Sequence, residues 1–416
     1  MTFELTGPRP GDTLSVSLYP GAFAIKIGEC EVYSFDGEGR PIGASTGDRW
    51  LRRGLDNTLV EKRAGTAARG WQPLPPTEAD AHVDAIALRM ADLHQAVTQG
   101  HYRNPQSAIP PPLERAAAWD SRRCRADAAR FLRLFHRVPI LPPDQYLSLV
   151  LQPTEGCRYN RCTFCTLYRD RPFRAKSPEE FRRHLDEVVA YFGRGLARRR
   201  SLFLGDANAL TLPMADLVPI FAAVQERLPV APSDLTPAQA RRWLSAHPLG
   251  FDGIHSFLDV FSGRKKSAAE YAALRRQGLR RVTIGLESGS APLLQFLRKP
   301  ERVADAVELV RTLHRAGVSV GVVVMVGAGG DRYAAAHVRE TVAVVNAVSL
   351  GAADFLYLSE FVEHPGSDYA RLAQAERIRA LDAAEMAAQA DAIRAGLRFP
   401  AQAPRVSVYR LSEFVY

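Results

Sequence analysis

An α/β fold with a β-rich, partly helical N-terminal extension is what this sequence predicts, and three observations predict it. From about residue 146 onward, short apolar segments alternate with helical ones. The apolar segments, such as "SLFLGD" and "VSVGVVVMVG", are nearly continuous instead of alternating with polar residues, as in parallel strands buried on both faces. Unusual polar and glycine-rich clusters recur directly after these segments, at what would be one edge of a sheet. Six strand–helix units suggest a partial (β/α)6 TIM-like barrel, although an open doubly wound sheet has the same local signature. Either architecture collects ligands at the C-terminal ends of its strands.

The first 65 residues read as a small β unit: "TLSVSLYP" alternates, "AIKIGECEVYSFD" follows, and "DGEG" supplies a turn before "RPIGAS". A proline-containing linker, "GWQPLPPT", leads into a helical segment over residues 77–140, with amphipathic helices at about 77–99 and 112–136 separated by "AIPPPLE". In the second helix Cys124, Ala128, Phe131 and Phe135 share a face, which makes Cys124 a core residue; Cys30, inside a strand pattern, reads as core too.

The six strand candidates of the barrel, placed at 146–370, are 146–152, 201–206, 253–260, 281–287, 318–327 and 354–361. Ser177, Pro178 and Glu180 form a capping box that opens a helix with Phe181, Leu185, Val188 and Phe192 on one side. Ser267 and Glu270 repeat the box, and "LRRQGLRRVTI" and "LHRAGVSVGVV" each end a helix on glycine before the next strand. Residues 371–416 read as a C-terminal helix and a closing strand, "VSVYRLSEFVY".

Composition excludes several classes. There is no run of eighteen apolar residues, and "MTFELTGPRPGD" lacks the basic start and apolar core of a secretory signal, so no membrane partner is expected and the expected compartment is the cytoplasm. Five cysteines do not make a disulfide framework. The net charge of +9 raises nucleic acid as a partner only weakly, since all but six of the 54 basic residues are Arg and the densest cluster, "RGLARRRS", falls at a helix end where cations stay solvated and complement the dipole.

Three of the five cysteines, Cys157, Cys162 and Cys165, stand within nine positions in the loop after the first barrel strand. Zinc needs a fourth Cys or a suitably spaced His, and neither follows. The C-x4-C-x2-C spacing also suits a plant-type [2Fe–2S] centre, which again needs a fourth cysteine. Three thiolates without a fourth can instead hold a [4Fe–4S] cube with one iron left open. A non-catalytic iron–sulfur or zinc protein with a basic, nucleic-acid-binding surface stands as the alternative.

The loop resembles the cluster loop of the radical S-adenosylmethionine (radical SAM) superfamily, with four residues, Arg158 to Arg161, where that family usually has three. The resemblance implies that the three cysteines hold a [4Fe–4S] cluster, that S-adenosylmethionine chelates the open iron, and that Phe164 lies beside the adenine. "FLGDANAL" resembles the segment that holds the methionyl amino group, which implies Gly205, Asp206 and Asn208 as cofactor contacts. "TIGLESGSAPLLQFLRKP" resembles the branch containing tRNA methylthiotransferases and anaerobic coproporphyrinogen oxidases, which implies Glu287 and Ser288 near the ribose or carboxylate and Arg298 as a carboxylate partner. It further implies a one-electron reductant such as flavodoxin or ferredoxin, reductive cleavage to a 5′-deoxyadenosyl radical, and hydrogen abstraction from a substrate the sequence does not name. Outside this set, "VGAGGD" is expected to bring backbone close to the cofactor. His255 reads as a satisfied core residue that shares a strand phase with Asp259, and Glu363 and His364 as candidates for the substrate mouth.

Overall fold

The computed structural model describes residues 1–9, 11–65, 70–103, 112–399, 402–410 and 414–416; the first four residues of the "AIPPPLE" run and part of the final "RLSEF" lie outside the described residues. The chain divides into two compact units. One comprises residues 1–139, 184–200 and 412–416, the other 140–183 and 201–411.

In the first unit, eight strands form an antiparallel meander in chain order: β1 (Thr2–Thr6), β2 (Thr13–Tyr19), β3 (Ala22–Ile27), β4 (Glu31–Asp36), β5 (Pro41–Thr46), β6 (Arg49–Arg53), β7 (Leu59–Arg63) and β8 (Gln72–Pro73). Period-2 burial puts Leu14, Val16, Phe23, Ile25, Tyr33 and Phe35 on one face, which packs with Met90, Leu93 and Val97 of helix Pro76–Thr98. The expected linker is thus partly strand, with Trp71 buried under Arg52. Cys30 is exposed, because the long strand pattern breaks at Gly28 (φ +55°) and the cysteine falls in the turn between β3 and β4. The single helix expected at 112–136 is two, Pro112–Ala117 and Ser121–Leu134; Asp120 caps the second by accepting from the Arg123 amide at 2.7 Å. Cys124 is buried there as expected. Arg199 in the basic cluster is not solvated but buried, stacked 4.7 Å from the Phe192 ring and 4.8 Å from Tyr416.

The second unit carries the parallel sheet. Its strands are β9 (Leu149–Leu151), β12 (Leu202–Leu204), β13 (Ile254–Leu258), β14 (Leu279–Glu287), β15 (Ser319–Val326), β16 (Phe355–Glu360) and β17 (Arg405–Tyr409). A small antiparallel pair, β10 (Thr154–Glu155) with β11 (Arg174–Ala175), lies between the first two. The six expected strands are present, and the closing strand adds a seventh, parallel to β16. Every neighbour is the next strand in sequence, without the reversal that defines a doubly wound sheet. Right-handed crossovers then put the helices on one side, and the other side becomes the inside of an open, barrel-like sheet. No β9–β17 pairing closes it among the described residues. The N-terminal end of this interior is filled by Asp144, which accepts from Tyr357 Oη at 2.6 Å and pairs with Arg281, itself 4.0 Å over the Phe355 ring.

Candidate active site at the C-terminal strand ends

The cysteine loop is pinned at both ends and along its length. β10 and β11 tie residues 154–155 to 174–175. Gly156, just before Cys157, has φ +70°, and a Cβ there would sit 2.7 Å from the Pro172 carbonyl oxygen, so the close turn needs glycine. Asn160 takes the second left-handed position (φ +46°), with its side-chain amide donating to the Tyr168 carbonyl at 2.8 Å. This turn accommodates the extra residue of the first gap. Arg169 gathers the Cys162 and Cys165 carbonyls at 2.8 and 3.2 Å, while Thr163 N donates to Leu297 O and Tyr159 Oη to Arg298 O.

All three cysteines line one open-mouthed cavity of about 220 Å³. Burial pushes Cys162 up to about 12 and Cys165 up to about 11 in the metal-free chain, so taking up a metal must displace protons. Among the described residues no three His, Cys, Asp or Glu groups converge on a point where they would share a single ion. Three cysteines with no fourth among the lining residues are a donor set that suits a [4Fe–4S] cube with one iron left open.

Alternate residues of the sheet supply the inner wall: Phe257 and Asp259, Thr283, Gly285 and Glu287, Val323 and Met325, Ser359 and Phe361, and Tyr409. Glu287 is aimed by a bulge. Gly285 pairs with Val323 but Glu287 with Val324, and Glu287 has φ +58°. Its Oε1 accepts from Lys299 Nζ at 2.8 Å. Lys299, 9% exposed, also donates to the Gly285 carbonyl and lies 3.6 Å from Glu301. Burial works against the ammonium, but the Glu287 and Glu301 carboxylates outweigh it and hold Lys299 protonated. Burial is also the main cause that pushes Glu301 up to about 7, partly offset by Lys299. After the neighbouring strands β12 and β13, Asn208 and Asp259 lock together: the Asp259 amide donates to Asn208 Oδ1 at 2.7 Å and the Asn208 amide donates back to the carboxylate, whose other oxygen caps Ser262.

Of the residues predicted from sequence, Cys157, Cys162, Cys165, Phe164, Asn208 and Glu287 are brought together around this cavity. The other four do not line it. Asp206 turns back under the cysteine loop, accepting from Gln152 Nε2 at 2.6 Å, the Gly156 amide at 2.9 Å and Arg171 Nε at 3.1 Å. Gly205 is spent on the β9–β10 backbone, donating to Leu151 O at 2.8 Å. Ser288 is buried against helix Gly330–Val348, 2.8 Å from His337 Nδ1. Arg298 is exposed, because φ +51° at the end of helix Ala291–Phe296 swings the following residue, Lys299, inward in its place. The glycines of "VGAGGD" approach protein, not cavity: a Cβ on Gly327 would meet Met386 Sδ at 2.7 Å, and one on Gly330 the Arg379 carbonyl at 2.3 Å. His255 is buried without a hydrogen bond to either ring nitrogen, 3.6 Å from Asp252, and His364 stands at the mouth. Lys299, Glu301 and Tyr409 were not singled out; the dipeptide Arg298-Lys299 offered two cations and no local signal for which one turns in.

Residues 151–345 match the family model described as the radical SAM superfamily. This region is a radical SAM domain. The radical SAM domain defines an enzyme family that uses a [4Fe–4S] cluster with S-adenosylmethionine, and the match spans β9 through most of helix Gly330–Val348. Solved structures similar to the chain include the radical SAM methyltransferase TsrM from Kitasatospora setae with tryptophan and a SAM analogue (14% identity, TM-score 0.35, 51% of this chain and 36% of that one). Others are the coproporphyrinogen III oxidase HemN from Escherichia coli (15%, 0.40, 64% and 54%) and Elp3 from Methanocaldococcus infernus (11%, 0.40, 64% and 62%). The chain thus spans less than two thirds of each of these three structures. No curated protein sequence matches it. No helix among the described residues is long and apolar enough to cross a membrane.

Proposed function

We propose that the chain is a single-cluster radical SAM enzyme in which Cys157, Cys162 and Cys165 hold the [4Fe–4S] cluster and S-adenosylmethionine occupies the polar side of the cavity. The observation that carries this is the meeting of three thiols with Glu287, Lys299, Asn208 and Asp259 around one cavity of a radical SAM domain. When bound and reduced, the cluster and S-adenosylmethionine supply one-electron chemistry that removes a hydrogen atom from the substrate. The protein's part is to bind, orient and keep water out. Lys299 presents a fixed ammonium and Glu287 a fixed acceptor, suited to the carboxylate and to the amino or hydroxyl groups of the cofactor. Asn208 and Asp259 hold each other rigid at the neighbouring strand ends, and Phe164 offers a ring face. Asp206 acts on the cofactor only through the loop it braces. An external one-electron donor such as flavodoxin or ferredoxin and a reducing, cytoplasmic setting suit the exposed, unpaired thiol of Cys30 and the oxygen-sensitive cluster.

Anaerobic reconstitution followed by iron and sulfide analysis should give four of each per chain, and dithionite with S-adenosylmethionine should give 5′-deoxyadenosine. Zinc alone in the protein, or iron retained when all three cysteines are changed to alanine, would overturn the reading.

A further inference from the structure

The cysteine loop has a second side. Besides the cavity it lines, it is surrounded by exposed arginines that the cavity does not use. Arg158 and Arg161 lie in the first gap of the loop, and Arg298 lies on the turn whose carbonyl accepts from Tyr159 Oη at 2.7 Å. All three are exposed and form no ion pair among the described residues. The Tyr159 hydroxyl is within electrostatic reach of both Arg161 and Arg298. Thr163 ties the neighbouring pieces to the same spot. Its amide donates to Leu297 O at 3.0 Å, and its carbonyl accepts at 3.1 Å from the Tyr369 amide of helix Asp368–Ala375. That helix carries the exposed Arg371, which is linked through Asp368 to the exposed Arg169, the residue that gathers the Cys162 and Cys165 carbonyls.

An open groove of about 340 Å³ runs along this side, lined among others by Thr163, Cys165, Thr166, Arg169, Ser367 and Arg371, with Asp368 as its one acid. Cys165 and Thr166 line the groove and the cavity alike, so a single stretch of chain separates the two. None of the five arginines lines the cavity. A molecule seated in the cavity therefore does not account for them. A lone exposed arginine is ordinary, but five around one loop make a local positive field that speeds the arrival of an acidic partner. The Asp368 carboxylate in the groove suits a protein surface of mixed charge better than the unbroken phosphates of a nucleic acid.

Resting on the cofactor assignment above, we propose that this arginine face is the docking site of an acidic one-electron carrier protein of the flavodoxin or ferredoxin kind, steered by Arg161 and Arg298 and seated over Cys165. The electron then enters from the outer side of the loop, while cofactor and substrate occupy the cavity on its inner side. One electron leaves the carrier and one is gained by the cluster; no bond is made or broken and no proton moves.

The first test needs no cluster. The metal-free chain is titrated by biolayer interferometry against an immobilised flavodoxin and an immobilised [2Fe–2S] ferredoxin. Arg161→Glu with Arg298→Glu should weaken binding to at least one carrier by about 10-fold or more, mainly through the on-rate, and the same pair changed to Gln should fall between. Arg276→Glu with Arg311→Glu is the control of equal charge change, on the exposed side of helices Ala268–Arg276 and Val303–Arg315, which run back to the N-terminal strand edge. It should stay within about 2-fold of wild type, and raising the salt to about 0.3 M should bring all the proteins together. Equal losses in the control pair, no charge-dependent binding of either carrier, or a single-stranded RNA 20-mer that alone responds to the Arg161 and Arg298 changes would each overturn the proposal. The second test follows loss of the iron–sulfur absorbance of the reconstituted protein under the reduced carrier and under photoreduced deazariboflavin, a small donor that needs no docking face. The Glu pair should slow reduction by the carrier alone; equal slowing with both donors would show a damaged loop and overturn the proposal. Four irons without carrier binding sinks the docking site alone, whereas charge-dependent carrier binding by a chain that takes up no iron sinks the cofactor assignment.

Discussion

Removing the carboxylate of Asp206 should loosen the cluster loop without touching the cavity. That carboxylate is buried and accepts three hydrogen bonds: from Gln152 on the strand side, from the Gly156 amide immediately before Cys157, and from Arg171 near the loop's far end. Asp206→Ala leaves all three donors facing an apolar methyl, with Arg171 still paired to Asp170 at 2.8 Å. Breaking one side of a buried ion pair costs about 3–5 kcal/mol. Expressed as local opening, that is roughly 10²- to 10⁴-fold faster hydrogen exchange for peptides covering the residues around Gly156. Asp206→Asn should cost less, about 1.5–3 kcal/mol, because one oxygen can still face Gly156 and Arg171 while its amide meets Gln152 once that amide flips. Exchange mass spectrometry on the metal-free protein reads the loop directly, and iron uptake after reconstitution should fall in the same order, alanine below asparagine below wild type. If both variants exchange at the wild-type rate, Asp206 is not a brace and belongs with the cofactor contacts after all.

Three further outcomes are expected. Gly285→Ala places a Cβ 2.2 Å from Glu287 Oε1 and 3.0 Å from Lys299 Nζ, so it should displace that pair and weaken S-adenosylmethionine binding in equilibrium dialysis, with iron content kept. Lys299→Met strands Glu287 and Glu301 in the interior and should cost about 3–5 kcal/mol in urea unfolding; Arg298→Ala, on the exposed side of the same turn, should stay within about 0.5 kcal/mol. Glu301 has a folded pKa raised from 4.5 to about 7, so the folded state holds its proton more tightly than the unfolded chain. Its contribution is therefore favourable at low pH and is lost as pH rises from about 4.5 to 7, by up to about 3 kcal/mol. Glu301→Gln should remove this slope; an identical pH dependence for variant and wild type would show that Glu301 titrates normally.

Much of this architecture was legible in the chain. Apolar runs separated by capping boxes located all six expected strands, because burial on both faces and helix-end chemistry are local demands that a sequence must meet locally. The thiol trio after the first strand was legible for the same reason: ligands on one short loop announce themselves by spacing. The strand order was not, since periodicity reports that a face is buried but not against which neighbour, and only the sequential pairing from β9 to β17 chose an open barrel over a doubly wound sheet.

The details of the site were decided later still. Asp206 and Ser288 occupy the segments expected of cofactor contacts, yet one folds back on Gly156 and the other onto His337. A left-handed residue at position 298 exchanged an arginine for a lysine. Tyr409 reaches the same cavity as Cys157 although the two are far apart in the sequence. Sequence thus determined which chemistry the chain could carry, by where it placed thiols, glycines and apolar runs. Tertiary structure decided which side chains meet, because direction at a loop or helix end depends on backbone angles and long-range pairing that no local pattern encodes.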